Sequence, residues 1–262
     1  MKTFLNFVLL SVFSTSRSLP TNSDNNSTEQ DPEENPGLFE GDIVLKLSSR
    51  NCMRNEEHHW PRGIVYFKFS EGSFEELQEL FIRGAMKAIE EVSCIRFIEA
   101  DDDQPYFLNI TAMSRGCYST VGFWNKVQTL NLKSYPIGKG CYRPGTIMHE
   151  LLHTLGFYHM QNAYNRSKYV RVVRGNIKKG HEHNFKRYPR RMSSNFGQGY
   201  DYGSIMHYSS RAFSINGKKT IVPLQKVSKG VLGQRNGITQ SDKKKLNKMY
   251  GCSKKKKKYT HE

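Results

Sequence analysis

His149-Glu150-Leu151-Leu152-His153-Thr154-Leu155-Gly156-Phe157-Tyr158-His159 decides how the rest of this chain is read. His149 and His153 are four residues apart, so on a helix of 3.6 residues per turn they leave one face, one above the other, and can reach a single metal ion. Glu150 leaves the helix at the neighbouring angular position. It suits a base acting on a metal-activated water and leaves the metal itself to the imidazoles. Gly156 follows the second histidine by three residues, where a residue free to take positive φ ends the helix and turns the chain back. His159 then becomes available as a third ligand. An isolated H-E-x-x-H arises by chance on apolar helices, but the extended H-E-x-x-H-x-x-G-x-x-H spacing fixes five of eleven positions and is the metzincin form of the zinc-protease motif. That form requires a methionine turn downstream, and Ser204-Ile205-Met206-His207-Tyr208 supplies one.

Around these two segments the chain resembles the astacin metalloendopeptidases. The resemblance is carried by Gly145-Thr146-Ile147-Met148 ahead of the first histidine, Phe157-Tyr158-His159 at the helix end, Tyr200-Asp201-Tyr202-Gly203-Ser204-Ile205-Met206-His207-Tyr208 and Thr220-Ile221-Val222-Pro223-Leu224, and it covers roughly residues 58 to 252. It implies one zinc ion per chain held by His149, His153 and His159. Tyr208 would be a further, displaceable ligand that swings away to help stabilise the transition state, and Met206 an apolar floor under the metal. It also implies protein or peptide substrates. Leu38-Phe39-Glu40-Gly41-Asp42-Ile43-Val44-Leu45 resembles the Phe-x-Gly-Asp segment of astacin pro-peptides, whose aspartate ligates the zinc and displaces the catalytic water. Asp42 is on that ground the candidate latency switch.

Length and composition suit a secreted enzyme. Met1-Lys2, an apolar run from Phe4 to Phe13 and small residues through Ser18 form a signal-peptide layout over residues 1–18. The run is far short of the roughly 20 apolar residues needed to span a bilayer, and no membrane span is expected. Residues 19–50 are polar and acidic, too poor in apolar groups to order themselves before they dock, and read as a pro-segment. Arg50-Asn51 offers a basic cut site for an activating protease. Residues 1–50 carry four Lys/Arg against seven Asp/Glu, formally −3, which leaves +19 on the remainder of a +16 chain. Opposite charges favour docking of the two parts before cleavage.

Residues 51–252 read as the catalytic domain, with an α+β fold: a metzincin-type two-lobed protease domain. Ser73-Phe74-Glu75-Glu76 reads as a capping box that opens a long amphipathic helix, with Leu77, Leu80, Phe81, Gly84, Ala85, Ala88, Ile89 and Val92 on its apolar face. Strands are expected at Ile64–Phe67, Ile95–Ile98, Tyr106–Ile110 and Val127–Leu132, in a twisted, mostly parallel sheet under the two helices. Beyond His159 the chain is rich in Gly, Arg and Tyr and weakly periodic. This predicts an irregular C-terminal lobe closed by a helix from about Gln240 to Tyr250. Five cysteines without a C-x-x-C pair point to disulfides in an oxidising, extracellular compartment. By resemblance Cys94 joins Cys252 and Cys117 joins Cys141, leaving Cys52 over.

Some positions depart from the family pattern. After the third histidine the family has Glu, tied to the buried N-terminus of the processed enzyme, but here Met160 stands there. Ala163, Asn165 and Ser167 replace the usual Arg, Asp and Asp, while Arg166 is kept. Met160 cannot hold an ammonium group through a salt bridge, which puts N-terminal anchoring in question and leaves the zinc ligands and Glu150 untouched. Lys254–Lys258, in the tail 253–262, with Lys243-Lys244-Lys245 and Arg187-Tyr188-Pro189-Arg190-Arg191, reads first as solvated surface. Its functional alternative is retention on a polyanionic surface or sulfated glycan. Nucleic acid is not an expected partner, since no aromatic-interleaved module accompanies the charge. Asn109-Ile110-Thr111, Asn165-Arg166-Ser167 and the Asn25/Asn26 sites are glycan acceptors in sequence. The two functions in play are a latent zinc endopeptidase with Glu150 as general base and, as the alternative, a polyanion-binding protein on the same scaffold that has lost turnover.

Overall fold

The computed structural model describes residues 31–45, 56–190 and 194–252. The signal-peptide layout, Asn25 and Asn26, Arg50-Asn51, Cys52, Arg191 and Lys254–Lys258 lie outside the described residues. Eight strands and three α-helices are described: β1 (Ile43–Val44), β2 (Ile64–Phe69), α1 (Glu76–Val92), β3 (Arg96–Glu99), β4 (Leu108–Thr111), β5 (Cys117–Thr120), β6 (Gln128–Leu132), α2 (Pro144–Thr154), β7 (Val170–Val172), β8 (Ile221–Pro223) and α3 (Gln240–Met249). Six strands form one sheet in the order β1-β5-β6-β4-β2-β3, and β7 and β8 form an antiparallel pair. Every pairing in the larger sheet is parallel except β5 with β6. Parallel neighbours need crossover connections, and α1 supplies the one between β2 and β3.

The α1 stripe that meets the sheet is Gln78, Phe81, Ile82, Ala85, Met86 and Ile89. This corrects the expected face: Leu77 is 52% exposed, while Ile82 and Met86 are buried. The helix also begins later than its sequence suggests, with Glu75 rather than Ser73 at the N-cap. Gln78 explains the shift, because its Oε1 accepts the Glu75 N–H (3.1 Å) while its Nε2 donates to Ser134 Oγ (2.9 Å), pinning the first turn to the end of β6.

Two cores define the lobes. The larger gathers the sheet, α1, α2, the Met206 turn and Leu246 and Met249 of α3. The smaller contains Val170, Ile177, Phe185, Tyr208, Ala212, Phe213, Ile221 and Leu232. Among the described residues, short 3-10 turns and the β7–β8 pair are the only regular structure between α2 and α3, the irregular lobe that weak periodicity predicts. The disulfides Cys94–Cys252 and Cys117–Cys141 tie the end of α1 to the end of α3 and β5 to the approach of α2. The first spans 158 residues, and closing so long a loop stabilises by roughly 5 kcal/mol on a chain-entropy account. Among the described residues no helix is long and apolar enough to cross a membrane.

Candidate active site and metal centre

α2 starts with Pro144 at its first turn and is buried along nearly its whole length. Gly145 is required there by a close approach, since a Cβ on it would lie 2.0 Å from the Arg235 carbonyl oxygen. At the other end, Gly156 takes φ +104°, its N–H bonding to the His153 carbonyl (2.8 Å) and that of Phe157 to the Leu152 carbonyl (2.9 Å). This paired cap reverses the chain, as the sequence implies, and brings His159 back toward the helix.

The three rings converge. His149 Nδ1 donates to the Ile205 carbonyl (2.8 Å), His153 Nδ1 to the Phe157 carbonyl (2.7 Å) and His159 Nδ1 to Glu40 Oε2 (2.7 Å). With each Nδ1 committed to an acceptor, every Nε2 faces inward: His149 Nε2 is 3.1 Å from that of His153 and 3.3 Å from that of His159. Asp42 inserts its carboxylate among them, with Oδ2 at 3.2 Å from His149 Nε2 and 3.1 Å from His159 Nε2, and Oδ1 at 3.5 Å from His153 Nε2. All four donor atoms lie within 4.8 Å of one another and all four residues are buried. Three imidazole nitrogens and one carboxylate oxygen are the donor set a tetrahedral zinc site takes. Asp42 Oδ1, buried and without a hydrogen-bond partner, fits that use.

Electrostatics follow from the crowding. Burial works against the Asp42 charge, yet His159 and His153 outweigh it and hold the carboxyl well below its ordinary range. Burial likewise opposes a charge on His159, but Asp42 and Glu40 carry that ring up to about 9, whereas burial and then Arg235 push His149 down to about 4. Glu150 is fully buried, and neither of its carboxylate oxygens has a hydrogen-bond partner. Burial, followed by the charges of Asp42 and Glu33, raises its carboxyl well above the ordinary range.

The Tyr208 ring lies 4.5 Å from that of His159, tilted by 55°, and its hydroxyl donates to the backbone carbonyl of Glu40. Met206 is buried, and its carbonyl accepts the Met160 N–H (2.9 Å), joining the turn to the third histidine. Asp242 of α3 fixes that turn by accepting from Ser204 Oγ (2.6 Å) and Ile205 N (3.0 Å). Met160 itself receives Lys245 Nζ on its sulfur at 3.2 Å, a buried ammonium that desolvation drives below its usual pKa.

The described piece of the acidic segment, residues 31–45, fills the cleft between the lobes. β1 adds in parallel to the sheet edge at β5, pairing Ile43 with Ser119 and Val44 with Thr120. Asn35 Nδ2 donates to the carbonyls of Pro32, Gly41 and Cys117, closing the segment on itself and onto β5. Glu34 accepts the Phe213 N–H (2.8 Å). Glu33 accepts from Arg235 Nε at 2.9 and 3.0 Å and from Thr146 Oγ1 at 2.9 Å, and also pairs with Arg235 Nη2. Sequence reading singles out Asp42 alone in this segment. Glu33 and Glu40 are buried as well, and their only local signal is an acidic composition that also suits an undocked tail.

Glu33 gives a pH test. Burial raises its pKa, but Arg235 outweighs this and holds the carboxyl at about 2 instead of 4.5. A depressed carboxyl stabilises the folded state above its unfolded pKa and loses that contribution as pH falls toward the folded one, here between about 4.5 and 2, on the order of 3 kcal/mol. The unsubstituted chain should be more stable than Glu33→Gln in denaturant titrations at pH 6, and the gap should narrow as pH falls below about 4.5 and be almost closed by about pH 2. A gap independent of pH would mean that the pair contributes shape only.

Residues 52–251 match the Astacin peptidase family. This chain belongs to the astacin family. It is a zinc metalloendopeptidase with the metzincin fold. It is 41% identical over 227 residues to seminal metalloprotease 1 of Drosophila melanogaster, covering 85% of this chain and 90% of that protein. It is 36% identical to human meprin A subunit beta, covering 82% of this chain but 30% of the meprin subunit. The solved structure of high choriolytic enzyme 1, a hatching enzyme zinc-protease from the medaka Oryzias latipes, superposes with a TM-score of 0.66 at 32% identity, covering 79% of this chain and 98% of that one. Strands β2 to β6 of the larger sheet, α2 and the Met206 turn all fall within the matched residues, while β1 lies ahead of them.

Proposed function

We infer that this astacin-family chain is a secreted zymogen: a signal peptide (1–18), a pro-segment (19–50) that blocks the cleft, a catalytic domain (51–252) and a basic tail (253–262). His149, His153 and His159 hold the zinc, Glu150 is the general base, and Asp42 keeps the enzyme latent. The single observation that carries this reading is the Asp42 carboxylate seated among three inward imidazole nitrogens, beside a buried Glu150 with no partner of its own.

When bound, zinc supplies Lewis-acid polarisation of water and of the substrate carbonyl. Glu150 removes a proton from the attacking water and returns it to the departing amine, a task suited to a carboxyl whose pKa is lifted by burial. The Tyr208 hydroxyl, which here donates to the Glu40 carbonyl, donates instead to the substrate carbonyl oxygen as negative charge develops on it. Asp42 occupies the space the attacking water needs, so the pro-segment must leave before turnover starts. Cleavage near Arg50 by an activating protease releases it. Secretion is supported by the signal-peptide layout and by the two disulfides. Retention on polyanions through the Lys254–Lys258 tail remains a separate proposal, and no observation favours a chain without turnover.

The test is direct. The full chain, expressed and then processed, should hydrolyse a fluorogenic peptide, lose activity with a zinc chelator and regain it with added zinc, while the uncut chain stays silent. Processed protein that binds zinc yet cuts nothing would overturn the reading.

A further inference from the structure

The two lobes carry opposite charge. Residues 56–163, which hold the larger sheet from β2 onward with α1 and α2, carry 10 Lys and Arg against 13 Asp and Glu, formally −3. Residues 164–230, the irregular lobe, carry 15 Lys and Arg against two acids, Glu182 and Asp201, formally +13. A chain that is basic only for solubility spreads its charge, and self-repulsion opposes so much of one sign in so short a stretch. The asymmetry points to a partner of opposite sign.

The fold gathers these cations along one edge of the lobe. Arg187 Nη1 donates to Ser167 Oγ (2.9 Å), which brings Arg187 beside Lys168. Burial lowers the pKa of Arg166, and the nearby charges of Arg174 and Arg187 add to that. From Arg174 the edge continues through hydrogen bonds to the loop ahead of β8: the Val173 N–H bonds to the Thr220 carbonyl (2.8 Å), the Ile215 N–H to the Asn176 carbonyl (2.9 Å) and Asn176 Nδ2 to the Lys219 carbonyl (2.8 Å). Lys218 and Lys219 are thereby joined to Arg174 and Lys179. Lys168, Arg174, Lys179, Arg187, Lys218 and Lys219 are all exposed, and among the described residues none of the six is in an ion pair. Lys178 does take a carboxylate, and it comes from the acidic pro-segment, Glu34 at 3.6 Å.

The chemistry of the partner follows from what the edge offers. Exposed ammonium and guanidinium groups in a row suit a chain of fixed negative charges, and the planar fork of arginine takes two oxygens of a sulfate or phosphate at once. Single-stranded nucleic acid also needs free aromatic faces for its bases. The rings of this region are otherwise engaged: Phe185, Tyr188 and Phe213 are buried, and Tyr169 is stacked on Tyr200. We propose that this edge of the smaller lobe is a binding surface for sulfated glycosaminoglycan, with Lys168, Arg174, Arg187, Lys218 and Lys219 facing its sulfates. The surface is distinct from the Lys254–Lys258 run and independent of the peptidase reading, since no zinc ligand or catalytic group takes part. A chain bound in this way stays at glycan-rich surfaces instead of diffusing from them.

The test is calorimetry of the intact full chain with heparin of defined length at about 0.15 M salt, beside the same heparin stripped of its sulfates and a single-stranded oligonucleotide of equal charge. Heparin is expected to bind, more weakly as salt is raised, and the desulfated form to bind at least about tenfold more weakly than heparin. Lys168→Ala with Arg174→Ala, and Lys218→Ala with Lys219→Ala, form two double variants that check one another. Each should weaken heparin binding about threefold and the quadruple variant at least about tenfold, from losses of the size that exposed ion pairs contribute. Thermal unfolding, expected to be unchanged, separates lost charge from lost fold. A full-length chain with Lys254 to Lys258 all changed to Ala should keep most of its affinity. The proposal is overturned if the folded quadruple variant binds like the unsubstituted chain, if desulfation has no effect, or if the tail change alone abolishes binding. An oligonucleotide that binds more tightly than heparin also overturns it and assigns the edge to nucleic acid. A chain that cuts no peptide but binds heparin in this pattern leaves the proposal standing while the peptidase reading falls.

Discussion

Glu150→Gln is expected to leave one zinc per chain and to lower kcat/KM of the processed enzyme by at least 10²–10⁴-fold, the range a positioned general base contributes. Metal should be retained because Glu150 orients none of the rings. His149 is held by the Ile205 carbonyl and His153 by the Phe157 carbonyl, and His159 turns back through the Gly156 cap. Glutamine has nearly the same shape and enters a position where the carboxylate makes no hydrogen bond, so packing gives no reason for unfolding. What it lacks is a lone pair basic enough to take a proton from water. The loss should fall on kcat with KM little changed, since a group used only in the transition state does not bind the ground state. Metal analysis beside peptide hydrolysis checks both halves. Full activity in the variant would remove Glu150 from the chemistry, and loss of zinc would make it a structural residue.

Much of this centre was legible in local spacing. A four-residue interval, a glycine three positions on and a third histidine define a helix, its end and a return, and the structure has all three. The α3 helix was equally plain, with Thr239 and Asp242 capping one another across its first turn. Strands β1 and β5 were not. β5 is four residues long and opens on a half-cystine, and β1 is two residues in an acidic segment, so neither offers a run in which alternation can be counted. They exist as strands because they pair with each other and, for β5, with β6. The same limit hid Glu33, Glu40, Tyr188 and Arg235. Their partners lie 202 residues apart for Glu33 with Arg235 and 148 for Glu40 with Tyr188, and no periodicity reaches that far. The α1 face was half right for a related reason: the pattern located the helix, but the reach of Gln78 to Ser134 chose the start and rotated Leu77 toward solvent.

Asp42→Ala should unmask activity in the uncut chain. The Asp42 carboxylate faces three imidazoles with no other polar partner, and charged hydrogen bonds are worth about 1.5–3 kcal/mol each. Losing one such bond shifts the blocked-to-open balance about 10- to 150-fold, since each 1.4 kcal/mol is a factor of ten. The segment should nevertheless stay bound for much of the time, because Glu33 on Arg235, Glu40 on Asn162 and β1 on β5 do not involve residue 42's side chain. The expected phenotype is therefore partial: intact Asp42→Ala chain, its length verified by mass spectrometry, hydrolyses peptide at least about tenfold faster than intact unsubstituted chain and well below processed enzyme. After processing, the two should be indistinguishable in kcat/KM, since residue 42 has gone from both. Asp42→Asn, which keeps the shape without the charge, should fall between them. Were intact Asp42→Ala silent while its processed form is active, blockage by the chain itself, anchored at Glu33 and Glu40, would be sufficient for latency, and the contact with the histidines would be a consequence of docking instead of its cause.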